Sequence, residues 1–282
     1  MMGLKKNLLS YKKNLSLGFL AISLLSCSAL GQWWYDRLDI YLANYFFKYA
    51  DFSNEQKSYI RSVTKDYLEW NSTSEIPKYK SLIIKIRNLD ATTTTVDIRR
   101  IFEEGESLFE ASNNFFTPHI VSFCKTLSDE QVEEINSFFE NRINNWKESE
   151  KENKKLNPGE RVTSGTKQLA RFLGIKLNQS QIQEIKKLAK NIDSNNNSSI
   201  DSQDKWNKTF ITILRDRQNK NFENYARNHL TSLLTREADR KGEAAYHEII
   251  VATISSLNQK QEIKFQRRLN LISKSIDKLI ES

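Results

Sequence analysis

From about residue 33 onward the apolar positions of this chain recur three and four apart, and runs of alternating β-branched residues are missing. That period is the signature of amphipathic helices. Three prolines and eight glycines punctuate 282 residues, so long helices with short connections are expected nearly throughout. The pattern predicts helices over 33–49, 54–70, 77–89 and 97 to about 116. A break follows at Thr117-Pro118, where Thr is a good cap and Pro a good first residue, then a short helix over 118–124. A long helix should run from Asp129 to about Lys155 and stop at Leu156-Asn157-Pro158-Gly159. Helices near 164–173 and 179–192, a polar loop over 191–202, and helices near 203–234, 239–256 and 259–281 complete the chain.

One helix-start pattern appears four times: Phe52-Ser53-Asn54-Glu55-Gln56, Leu127-Ser128-Asp129-Glu130-Gln131, Leu177-Asn178-Gln179-Ser180-Gln181 and Leu257-Asn258-Gln259-Lys260-Gln261. In each, a Ser or Asn side chain caps the backbone N–H three residues on, and the Gln reaches back to the cap's own N–H. The caps are 75, 50 and 80 residues apart. That irregularity argues against a regular solenoid and favours two degenerate helical halves, 27–157 and 158–282, divided near Pro158. The expected fold is all-α, an irregular multi-helix bundle or array.

The first 26 residues have a different character. Lys5, Lys6, Lys12 and Lys13 stand without an acid, and Leu15–Ser26 is an uncharged, mostly apolar run. At 12 residues it falls short of the roughly 20 needed to span a bilayer but suits an export signal. It ends in Leu24-Leu25-Ser26-Cys27, which resembles a lipobox, so residues 1–26 are expected to be removed and Cys27 to carry palmitate-type acyl chains. Ser28, in place of an Asp, resembles the default sorted to the outer membrane. The net charge of +8 includes the four signal lysines and becomes +4 without them. Export makes nucleic acid an unsuitable partner. With Cys27 acylated, Cys124 has no disulfide partner, and its apolar setting, His119 to Cys124, predicts a core residue.

Chemistry is sparsely signalled. His119, His229 and His247 belong to no HExxH, and no phosphate loop or Gly-x-Ser-x-Gly occurs. Asp239, Glu243 and His247, spaced four apart, could share a helix face and bind a divalent metal, or simply pair with Arg236 and Arg240. Neither a cofactor nor a catalytic residue is expected. Nine aromatics crowd residues 33–52. Trp33, Trp34 and Tyr35 are candidates for a membrane interface beside the lipid, the others for the core. Lys78, Lys80, Lys85, Arg87, Arg99 and Arg100 form one basic run, and Arg215, Arg217, Lys220 and Arg227 a second. Either could meet anionic headgroups or be an ordinary solvated face.

Tyr35, Leu38 and Asp39, then Asp51-Phe52-Ser53-Asn54-Glu55-Gln56, then Trp70 with Glu75-Ile76-Pro77-Lys78-Tyr79, resemble motifs of DUF6279, a family of unknown function among proteobacterial lipoproteins. The family's histidine after the Trp is Asn71 here. The boxes also resemble the Leu-Thr-x-x-Gln signature of Spy- and CpxP-type periplasmic chaperones, about five residues at a time. The resemblance implies a lipoprotein and names no activity. The resulting expectation is an outer-membrane-anchored periplasmic protein that binds an envelope protein or an unfolded client. A purely structural role and a metal-dependent enzyme are the alternatives, and oligomeric state is left open.

Overall fold

A computed structural model describes Tyr35 and residues 37–153, 157–192, 197–232 and 240–281. Among these residues every regular element is helical. They are α1 (Leu38–Phe46), α2 (Asn54–Trp70), a π turn (Asn71–Glu75), α3 (Ile76–Arg87), α4 (Thr95–Cys124), α5 (Asp129–Asn153), α6 (Pro158–Phe172) and α7 (Gln179–Leu188). A 3₁₀ turn (Ala189–Asn191), α8 (Asn197–Arg215), α9 (Phe222–Thr231), α10 (Arg240–Ser255) and α11 (Gln259–Glu281) follow. Among the described residues no helix is long and apolar enough to cross a membrane.

The 30-residue α4, about 45 Å long at 1.5 Å per residue, is the spine. Its C-terminal turns feed Val121 and Cys124 into one core cluster with Phe52, Ile60, Val132, Ile211, Leu214 and Phe222. Its N-terminal half gives Leu108 to a second cluster with Ile76, Leu82, Ile175, Phe265, Leu269 and Ile276. A smaller cluster, Val162, Ile185, Ala189 and Ile249, seats α6 and α7 on α10. Both large clusters draw on residues from either side of Pro158, because α11 lies along α3 and α8 along α5.

The four boxes form as expected and then do something further. Gln56 and Gln131 pair with each other, each Nε2 donating to the other's Oε1 at 3.0 and 2.8 Å. Gln181 and Gln261 do the same at 3.2 and 2.9 Å. Each Oε1 also accepts its own cap's N–H. Each remaining N–H goes to the carbonyl two residues before the partner's cap: Thr126, Asp51, Ser256 or Lys176. Two lone pairs and two N–H groups are all a carboxamide has, and every one is used. Glu could not donate and Asn could not reach. The boxes are therefore clamps that join helix starts 75 and 80 residues apart.

Four expected boundaries are corrected. The break at Thr117-Pro118 is absent, and α4 runs through it. An interior proline costs roughly 3 kcal/mol. Phe115 and Phe116 packed on Tyr67 and Trp70, and Val121 and Cys124 in the core, offset that cost. Conversely, the single helix expected over 203–234 is interrupted between Arg215 and Phe222. No Gly or Pro marks that spot. Asn219 folds its N–H and side chain back on Asp216, and Arg217 turns inward to bond Leu127 O and Asp129. The stop at Asn157-Pro158 is also a start, since Asn157 and Glu160 form a capping box with Pro158 at N1. Finally, Asn197–Ser202 opens α8 rather than extending the polar loop.

The route into the third box depends on Gly174, whose φ of +80° closes α6 in a Schellman turn. Ile175 N donates to Ala170 O at 2.7 Å, and Gly174 N to Arg171 O at 3.0 Å. A Cβ at this glycine would stand 2.9 Å from Lys264 O on α11.

Candidate functional site: a buried polar cluster at the π turn

Between α2 and α3 the helix does not stop, as the pattern predicted, but widens into a π turn at Asn71–Glu75. Such turns insert one residue and often mark functional positions. Here Ser72 and Thr73 bond back to the carbonyls of Glu69 and Trp70 on the outside, while Asn71 and Glu75 face inward. Both are buried, Glu75 at 2 % exposure. One turn further, Tyr79 follows them into the interior.

The opposite wall is the start of α1. Tyr35 is buried and its hydroxyl accepts a hydrogen bond from Asn71 Nδ2 at 3.0 Å. Asp39 lies one turn along from Tyr35. Tyr67 bonds Ser112 of α4 at 3.1 Å. Ser112 also donates to Leu108 O.

The cluster is incompletely hydrogen-bonded. Asn71 Oδ1, Glu75 Oε2, Tyr79 OH and Asp39 Oδ1 are buried atoms without a hydrogen-bond partner among the described residues. The other Glu75 oxygen takes Lys78 Nζ at 2.6 Å, a lysine more than half exposed that caps the cluster from outside. Burial raises the Tyr79 hydroxyl well above the ordinary phenol range, with the Tyr67 hydroxyl and Glu75 adding to it. Tyr67 is raised too, mainly by burial. What such an arrangement does chemically is accept hydrogen bonds, and ordered water is the usual way to satisfy atoms of this kind.

The other singled-out residues are placed as follows. Cys27, Trp33 and Trp34 lie outside the described residues. Tyr35, expected at a membrane interface, is a core residue instead, held there by Asn71. Of the other aromatics in this stretch, Phe46, Phe47, Tyr49 and Phe52 pack into the first cluster, whereas Tyr41 and Tyr45 are exposed. Asp239 lies outside the described residues. Its expected companion His247 is buried against Phe102, and burial lowers its pKa, with Glu243 opposing. Among the described residues no group of three or more His, Cys, Asp or Glu is placed to hold a metal ion. His229 stacks on Trp206 and Phe210, its Nε2 2.9 Å from Trp206 O. Cys124 is buried with a free thiol whose pKa is pushed up to about 12 by burial.

The two basic runs are largely spent inside the protein. Lys80 pairs with Asp277, Lys85 with Glu104, and Arg87 bonds Asn270. Arg215 forks onto Glu133 at 2.8 and 2.9 Å. An open groove of about 1060 Å³ lies instead beside the first glutamine clamp. Tyr49, Val132 and Phe138 line it, with Asp51, Asp129, Glu130, Glu133 and Glu134 outnumbering Lys48 and Arg215.

Fold and site thus define an all-helical protein in which paired glutamine clamps and a polar π turn set the register. Residues 48–239 match the model of the family of unknown function DUF6279, and the chain belongs to that family. No curated protein and no solved structure matches it. The matched span contains Asn71, Glu75 and Tyr79. Tyr35 precedes it, yet in space it joins the same cluster through its bond with Asn71. Sequence reasoning had these residues as a linear resemblance and missed that they meet. The signal was present in their types, since phenols, an amide and a carboxylate are costly to bury singly.

Proposed function

We propose that this protein is exported, acylated on Cys27 and held at the outer membrane facing the periplasm, where it acts by binding rather than by catalysis. The observation that carries the proposal is an ordered one. A lysine-rich start without acids, a 12-residue apolar run, Leu24-Leu25-Ser26-Cys27 and then Ser28 follow one another directly. Several acyl chains at about 0.8 kcal/mol per buried CH₂ hold a protein durably. Intact-mass analysis of protein recovered from membranes tests this. The expected species starts at Cys27 and carries the mass of its acyl chains, and Cys27→Ser should lose both the acyl mass and outer-membrane fractionation. An unmodified sulfur with residues 1–26 still attached would remove the proposal.

The groove beside the first clamp supports the binding half. Aromatic and aliphatic lining with a carboxylate-rich rim suits a basic, amphipathic segment of an envelope protein or an unfolded client. The domain lacking residues 1–27 should then suppress aggregation of a reduced, unfolded client at near-stoichiometric ratio. Reversing Glu130 and Glu134 to Lys should weaken that suppression.

A further inference from the structure

The outer face of α1 is apolar and basic. Arg37, Ile40, Tyr41, Asn44, Tyr45 and Lys48 are all exposed. At 100° per residue the four within α1, Ile40, Tyr41, Asn44 and Tyr45, fall within one arc of about 140°, with Arg37 and Lys48 just beyond the two ends of the helix. Ile40 and Tyr41 are 52 % and 44 % exposed, large values for apolar side chains. No acid lies on the arc: Asp39 points the other way, toward the core, while Ala43 is buried on the packed side. Ile263, Arg267, Leu271 and Lys274 make a comparable face on α11, and what singles out α1 is its closeness to Cys27 along the chain.

We infer that this face of α1 lies on an anionic bilayer surface, with Ile40, Tyr41 and Tyr45 at headgroup level and Arg37 and Lys48 against lipid phosphate. The inference rests on the proposed acylation of Cys27. Eight residue steps separate Cys27 from Tyr35, at most about 29 Å of extended chain. Because Asn71 fixes Tyr35 in the core, α1 is the part of the folded body held closest to the lipid by that tether. A short helix with an apolar face, cations beside it and its one acid turned to the opposite side is a form that lies in a membrane interface rather than through it. Tyrosine has an apolar ring and a polar tip suited to that depth. The interfacial aromatics of this protein are therefore Tyr41 and Tyr45 and not Tyr35.

The test uses the full-length lipidated protein reconstituted into vesicles of phosphatidylethanolamine and phosphatidylglycerol. An environment-sensitive fluorophore is attached through Tyr41→Cys or, as controls, through Tyr225→Cys or Leu271→Cys on α9 and α11. Cys124 is buried and stays unlabelled. The expected result is a blue shift and quenching by lipid-borne quencher at position 41, with neither at 225 or 271. Replacing Arg37 and Lys48 by Glu should reduce the bound fraction of the position-41 probe by about fivefold or more per site in anionic vesicles, and much less in zwitterionic ones. Protein that co-floats with vesicles while the position-41 probe stays unshifted overturns the inference and leaves the anchor intact. Protein that fails to co-float overturns both. A probe unshifted in vesicles but protected in native membranes also overturns it, and puts a protein on this face instead.

Discussion

The two glutamine clamps are chemically the same device in two different settings. At the end of α4 that carries Cys124, Gln56 is 9 % exposed and Gln131 is only partly buried, with the charged groove alongside. At the other end, Gln181 and Gln261 are 4 % and 6 % exposed, next to Ile185 and Ile175. Hydrogen-bond partners correspond one for one, so geometry is held constant while access to water changes. What an intramolecular hydrogen bond contributes depends on what replaces it when it is lost. The buried clamp should therefore be the more costly to break.

The largest effect is expected for Gln261→Leu, which strands Asn258 N–H, Lys176 O and the Gln181 amide away from water. Equilibrium denaturation should show a loss of about 3 kcal/mol. Gly174→Ala tests the same end through the backbone. Left-handed φ costs a side chain about 1–2 kcal/mol, and the new methyl would also press on Lys264 O, so a loss of about 2 kcal/mol is expected by the same measurement. Gln131→Leu, at the wetter end, should cost about 1–2 kcal/mol because solvent can re-partner the exposed groups. Equal losses for Gln131→Leu and Gln261→Leu would show that burial is not what separates the two ends.

Smaller effects refine the picture. Lys78→Met leaves the Glu75 carboxylate buried without its only ion-pair partner among the described residues, though the lysine itself is largely in water. A loss of about 1 kcal/mol is expected, relieved by adding Glu75→Gln. If Glu75→Gln alone proves as damaging as Lys78→Met, the carboxylate has a use beyond accepting that lysine. A fifth prediction reads kinetics. With its thiol pKa near 12, Cys124 is almost wholly protonated at pH 8 as well as buried, so disulfide reagents should react only when the first end opens. Gln131→Leu should speed that labelling more than Gln261→Leu does. The reverse order would mean the two ends open as one unit.

The helical class, most helix starts and the four boxes could be read from the chain because they rest on local physics, period and capping. The partnering of boxes could not, since one Gln reaching back to its cap looks the same whether or not another Gln faces it. The turn at Asp216–Asn221 was hidden for a related reason. Its residues would tolerate a helix, and only the inward pull of Arg217 toward Leu127 and Asp129 breaks it. Pro118 misled in the opposite sense, because a local penalty was outweighed by aromatics distant in sequence. The π turn was invisible to a 3.6-residue template, and with it the convergence of Tyr35, Asn71, Glu75 and Tyr79.

Tyr35 has a mechanical consequence. Traction applied to the leading segment reaches the folded body at a side chain seated in its interior and bonded to Asn71, not at a frayed helix tip. The load passes at once to the π turn, and so into the continuous rod formed by α2 and α3. A pull on that segment would be resisted by the whole helical body, and first yielding should be extraction of this tyrosine, before α1 peels from α2.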